Sequence, residues 1–339
     1  EAIYPENAFK TAWANLLYTD LVSINADINS QIPQAILTGN LFGTISESAQ
    51  AVLTSSGPTA LVESITAPTM LIQGIQDGLF VLEQSIQNGE ILTANGVETK
   101  LIWFCGGHGL CLNPKAESQF DGVADATLTW MRTFVNGDPL TPPKNFQWFA
   151  QQGGHFIADL FPWDEGFAGP TIDAQSDGGF LPYLPLGIGG SGPSKDPNVP
   201  SLLKKATASE ASNALDVLIT TPTPETLIVG APEVSFTYSG FGNAEFVYGQ
   251  IVNVATGLVL GNLVKPIPVT LDGKTHTVTW NLENIAYTSP EAENAELKFQ
   301  LTTAASPYAR WSAWGGINVS DIEVKLPTVA PGVAERVVG

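Results

Sequence analysis

Basic residues are scarce in this chain: 14 lysines and arginines stand against 33 aspartates and glutamates, for a formal charge of −19. That balance repels phosphate backbones and anionic lipid surfaces, so no nucleic-acid partner is expected. The acidic residues are spread along the chain rather than gathered in one run, which ties them to solubility more than to a substrate. No apolar run reaches the roughly 18 to 20 residues of a membrane span, so no transmembrane segment is expected. Histidine is limited to three residues and cysteine to two. There is no metal-ligand spacing, and no phosphate-cradling glycine loop or dinucleotide fingerprint leads from a strand into a helix; no cofactor or metal is expected. Also missing is the G-x-S-x-G nucleophile elbow, since no serine has glycine two residues to either side. The nearest imitation, Gly189-Gly190-Ser191-Gly192-Pro193, ends in proline inside a Gly/Pro-rich loop and reads as a turn.

What is present centres on residues 67–112. Thr69 to Gln73 is a short apolar run closed by Gly74, the pattern of a buried strand in a parallel sheet. Asp77 follows at once. From Phe80 to Leu92 apolar and polar residues mix with helical spacing up to the stop at Asn95-Gly96, which predicts a crossover helix. Lys100 to Phe104 is a second buried strand, and it runs into Gly106-Gly107-His108-Gly109. An acid after one parallel strand and a histidine after the next sit where open α/β sheets place their chemistry. A carboxylate there can fix the tautomer of an imidazole, leaving its other nitrogen to act as general base and then acid. Taken singly, Asp77 also reads as a helix N-terminal acid and His108 as a loop residue among glycines.

The words AFKTAWANLL (8–17), ITAPTMLIQGIQDGLF (65–80), LIWFCGGHGLCL (101–112) and YGQIVNVATGLVLGNLVKPIPVTLDGKTHTV (248–278) resemble the actinobacterial branch of the X-Pro dipeptidyl-peptidase-like hydrolases, the group of the cocaine-esterase-type enzymes. The resemblance covers essentially the whole chain. It implies a serine hydrolase with an α/β-hydrolase domain, a helical cap inserted in it and a C-terminal β-sandwich of jelly-roll type, with Asp77 and His108 as acid and base of a Ser-Asp-His triad. The departure from that pattern is the absent elbow. No strand-helix-strand pattern precedes Ala67 either, so the chain reads as the C-terminal part of a hydrolase beginning at or just inside the cap.

The expected fold class is α/β plus all-β: residues 1–64 form a helical cap segment, 65–138 the C-terminal portion of an α/β-hydrolase domain, and 139–339 a jelly-roll-like β-sandwich. In the first segment Phe9, Trp13, Leu16 and Leu17 lie at helical spacing, read as plain helix packing, while Ile24 to Leu37 is interrupted by Pro33. Glu117 to Val135 predicts the last helix of the hydrolase domain. Beyond it, short β-rich runs separated by turns include Asn145–Ala150, Val234–Tyr238, Phe246–Val254, Leu258–Val264, His276–Trp280, Leu297–Thr302 and Ile322–Leu326. Residues 160–205 are a Gly/Pro-rich excursion, expected to lie against the pocket or a second chain. His155 and His276 read as surface or satisfied polar residues.

Cys105 and Cys111 bracket His108. A disulfide between them would clamp the histidine loop and imply an extracytoplasmic location, secreted or in the cell envelope; two buried thiols, compatible with a cytosolic peptidase, are the other reading. The expected function is thus a portion of a serine hydrolase cleaving ester or peptide (amide) bonds in a small-molecule substrate. Asp77 and His108 come from this chain, the serine from a missing N-terminal segment or a separate chain, and this chain alone is expected to be inactive. The alternative is a catalytically inactive structural or binding protein of the cell envelope.

Overall fold

The computed structural model of the chain describes residues 3–55, 57–108, 117–139, 144–221, 225–289, 296–310 and 312–337. As the spacing predicts, the N-terminal part is helical, with α1 (Thr11–Ser23), α2 (Gln31–Phe42), α3 (Glu47–Ser55) and α4 (Thr59–Val62). Phe9, Trp13 and Ala14 are its buried anchors. Pro33 falls in the first turn of α2, where its missing N–H has no intrahelical partner to lose, so it does not interrupt the helix. Gly43, left-handed at φ 73°, ends α2.

Strand, helix and strand then follow as β1 (Thr69–Gly74), α5 (Leu82–Ala94) and β2 (Thr99–Phe104). β1 and β2 are parallel, in register from Thr69↔Thr99 to Gly74↔Phe104. α5 begins later than the apolar pattern suggests, because Phe80 belongs to the turn and the extended Val81 (ψ 162°) is the cap. α6 (Glu117–Met131) continues as a π-turn, Arg132–Asn136, and stops at the left-handed Gly137. β3 (Phe146–Phe149) pairs in parallel with β2, and β4 (His155–Ala158) runs antiparallel to β3. This corrects the sequence-based start of the sandwich at residue 139: the strand expected at Asn145–Ala150 extends the sheet of β1 and β2 instead. The cause is aromatic packing. Phe146 and Trp148 stack at 4.6 Å and Trp103 meets Phe146 edge-on at 4.9 Å, all fully buried.

The rest of the chain is strands joined by turns: β5 (Ile172–Ser176), β6 (Gly179–Tyr183), β7 (Ala214–Thr220), β8 (Leu227–Gly230), β9 (Glu233–Gly242), β10 (Phe246–Asn253), β11 (Lys265–Pro268), β12 (Asp272–Asn281), β13 (Ile285–Thr288), β14 (Glu296–Thr302), β15 (Gly315–Leu326) and β16 (Glu335–Arg336). Two antiparallel sheets form, β11-β10-β14-β7 and β12-β9-β15-β5, with β6 pairing the first half of β15. Period-two alternation turns Val234, Phe236 and Tyr238 of one sheet into a common core with Val217, Val247 and Phe299 of the other. No strand forms over Leu258–Val264. Gly261 (φ 66°) and Asn262 (φ 55°) are left-handed, and the segment turns before β11 begins.

The sheet that β1 and β2 begin is mixed, with the order β1-β2-β3-β4-β16, parallel from β1 to β3 and antiparallel beyond, which leaves β1 at its edge. A fully buried β1 was the expectation; among the described residues it pairs on one side only, and Ile72 is 41% exposed. β2, by contrast, is buried up to its last residue. Truncating Leu101, at the centre of β2, is therefore expected to remove about 2 to 5 kcal/mol. Urea unfolding of Leu101→Ala should show the lower midpoint with an unchanged slope; a loss under about 1 kcal/mol would contradict this core assignment.

Candidate active site

Past their strands β1 and β2 stay joined: the Ile75 N–H donates to the Phe104 carbonyl (2.9 Å) and the Gln76 N–H to the Gly106 carbonyl (3.3 Å). Such an approach of two loops requires residues without Cβ. A Cβ on Gly74 would lie 2.5 Å from the Gly106 carbonyl carbon, and one on Gly107 (φ 137°) 2.7 Å from the Asp77 Cα.

This pairing brings Asp77 and His108, the two residues read as acid and base, into contact. His108 Nδ1–H donates to the carboxylate, 3.0 Å from Oδ1 and 2.9 Å from Oδ2. Since an ionised carboxylate only accepts, Nδ1 carries the proton and Nε2 of the neutral ring keeps its lone pair. Asp77 is only 6% exposed, and a buried charge must be compensated. Its Oδ1 accepts two further hydrogen bonds, from the N–H of Leu79 (2.9 Å) and of Phe80 (3.0 Å). The His108 side chain is 40% exposed. The acid is thus interior and the base faces outward.

Neighbours from distant parts of the chain define the surroundings. Trp13 of α1 meets His108 edge-on with ring centroids 5.6 Å apart, and Phe80 lies tilted over the imidazole at 5.3 Å. Trp13 and Leu79 pack with Val199 and Leu203, at the end of the Gly/Pro-rich excursion, and with Ala206 just beyond it, so this segment lies against the turn that carries Asp77. On another side the Asn262 side-chain amide donates to Gln76 Oε1 (3.2 Å), docking the Gly261-Asn262 turn beside the acid. Lys10, immediately ahead of α1, donates through Nζ to the carbonyls of Gly78 (3.0 Å) and Leu79 (3.1 Å). It is buried, and desolvation lowers its ammonium from 10.5 to about 8 against the pull of Glu283. With Val81, Gln84, Lys265 and Glu283 it lines a cavity of about 500 Å³.

The sequence pattern reads Trp13 as helix packing, sets Phe80 inside a helix and gives Lys10 no role. The signal for Lys10 is its isolation, a lone cation between Phe9 and Trp13 in a chain with few cations. Ser191 is fully buried and donates to Gln250 Oε1 (2.6 Å), so it is a structural residue of the sandwich. His276 is bound to Asp272 (2.8 Å), and His155 stacks on Phe149 (4.3 Å) in the sheet. Cys105 is buried, while Cys111 lies outside the described residues. Among the described residues no group of His, Cys, Asp and Glu side chains is arranged to hold a metal ion, and no helix is long and apolar enough to cross a membrane.

No protein-family model and no curated protein matches the chain. Solved structures do. An aminopeptidase from a marine sediment Thaumarchaeota archaeon superposes with a TM-score of 0.60 at 12% identity, over 96% of this chain and 69% of its own. A CocE/NonD family hydrolase from Staphylococcus aureus gives 0.57 at 10% identity, over 96% and 64%. An alpha-amino acid ester hydrolase gives 0.58 at 12%, over 94% and 64%. The chain therefore has the fold of these hydrolases across nearly all its length, and spans about two thirds of theirs.

The buried Lys10 makes stability depend on pH. Unfolded lysine releases its proton near pH 10.5 and folded Lys10 near 8, so between those values the unfolded chain binds more protons and stability rises with pH. At about 1.4 kcal/mol per unit the gain approaches about 3 kcal/mol. Urea unfolding from pH 7 to 10.5 should show wild type gaining on Lys10→Met by that order; parallel curves would contradict the burial of a charged Lys10.

Proposed function

We propose that this chain is the acid- and base-bearing part of a serine hydrolase that cleaves ester or peptide bonds. The observation that carries the reading is the Asp77–His108 pair, a buried carboxylate holding an exposed imidazole at the carboxyl ends of adjacent parallel strands. In this reading a serine attacks the substrate carbonyl while His108 Nε2 takes its proton. Asp77 stabilises the imidazolium, His108 passes the proton to the leaving group, and water then releases the acyl group by the same route. Trp13 and Phe80 form the apolar walls beside the reacting centre, and the helices that carry Trp13 act as the cap.

The serine and the oxyanion donors come from another segment of the polypeptide or from a separate chain. The edge position of β1 supports this, because its apolar sequence suits a strand with neighbours on both sides, and a bare parallel edge is a site for strand addition. Ile72 on that edge and Phe120, Leu128 and Met131 of α6 are the exposed apolar residues such a partner would cover. The two sandwich sheets, with first, eighth, third and sixth strands in one and second, seventh, fourth and fifth in the other when β5 and β6 count as one and the β8–β13 pair is set aside, support the jelly-roll reading. A Cys105–Cys111 disulfide would lock the histidine loop and suit an extracytoplasmic enzyme.

Replacing His108 by alanine should lower p-nitrophenyl ester turnover by the natively purified protein about 10⁴-fold with the fold intact, and Asp77→Asn should cost a similar factor. Unchanged turnover in the folded His108→Ala protein would sink the proposal. For the location, thiol titration in denaturant should find no reactive thiol before reduction and two after it; two at the outset would place the protein in a reducing compartment.

A further inference from the structure

The peptide that presents the acid is gripped from both sides. Leu79 gives its N–H to Asp77 Oδ1, and its carbonyl, with that of Gly78, receives Lys10 Nζ. Leu79 is 3% exposed and Gly78 half-buried, so without Lys10 the Leu79 carbonyl would be left as a buried acceptor and that of Gly78 without its protein donor, a costly arrangement that the backbone relieves by rotating its peptides. Rotation of the Gly78-Leu79 and Leu79-Phe80 peptides would carry the two N–H groups off the Asp77 carboxylate. A lysine suits the task because its ammonium has three donors, enough for both carbonyls. The grip is not local: Lys10 lies 68 residues before Gly78, and the first turn of α1, which follows it, sets Trp13 against His108. The other charged groups around Lys10 are Glu283, Lys265 and Asp77, with Lys265 itself paired to Glu283 (3.5 Å) and Glu6 (3.7 Å).

We propose that Lys10 is a positioning residue for catalysis, clamping the Gly78-Leu79 turn so that Asp77 holds His108 with Nε2 turned toward the reacting centre. The proposal rests on the acid–base reading of Asp77 and His108 and adds to it the residue that leads into α1. Lys10 touches no substrate in this role; it acts through the turn.

Two readouts on the full chain separate this role from simple core packing. In proton NMR the His108 Nδ1–H, assigned by its loss in His108→Ala, should give a low-field resonance in wild type. That resonance should be lost or broadened in Lys10→Met and partly recovered in Lys10→Gln, which keeps a donor, with circular dichroism unchanged in both. In the natively purified protein, p-nitrophenyl ester turnover should fall in kcat by about 10²-fold for Lys10→Met with KM nearly constant, the scale of a small misplacement at a catalytic group. A wild-type resonance and kcat in folded Lys10→Met would overturn the proposal, as would global unfolding of both variants, which would make Lys10 a core residue only. Loss of turnover in His108→Ala beside a silent Lys10→Met would refute Lys10's role while leaving the acid–base reading intact; a silent His108→Ala would refute that reading itself.

Discussion

A carboxylate almost entirely removed from water is the constraint on which this structure turns. Asp77 is buried, and a buried charge persists only when donors surround it. Those donors come from its own turn, through Leu79 and Phe80, and from His108 on the neighbouring loop. Each donor then has to be held. The histidine loop is held by the parallel register of β1 and β2 and by glycines that let the loops approach. The acid turn is held by Lys10, Trp13, the excursion residues Val199 and Leu203, and Ala206 just after them.

The sandwich is part of this support. Its Gly261-Asn262 turn meets Gln76, the residue before the acid, and the Gly261 N–H donates to Gln151 Oε1 at 2.7 Å. Gln151 lies between β3 and β4, and its backbone N–H donates to the carbonyl of Ala286 in β13, which pairs with β8, at 2.7 Å. Packing of the sandwich and placement of the acid are therefore one mechanical problem, which gives a physical reason for the two parts to share a chain. The N-terminal helices close the same turn from another direction.

Much of this was legible in the residues. The βαβ unit was visible because its two strands are short apolar runs and a crossover helix is amphipathic, and Asp77 and His108 follow those runs directly. The sandwich strands showed through their alternation. Three features were hidden for physical reasons. Whether Asn145–Ala150 joins one sheet or the other depends on long-range aromatic stacking with Trp103, which leaves no local mark. Leu258–Val264 has strand composition, but Gly261 and Asn262 take left-handed conformations that only the docked turn reveals. Lys10 and Phe80 reach the site through the path of the chain, so periodicity assigns them to helix alone.

The central claim, that Asp77 and His108 serve a serine lying outside this chain, is tested most directly by a fluorophosphonate probe on the natively purified protein, with the labelled residue located by peptide mapping. The account predicts one labelled serine outside residues 1–339, with labelling lost in His108→Ala. A preparation shown to be folded that takes no label, or that takes it on a serine within residues 1–339, would contradict it.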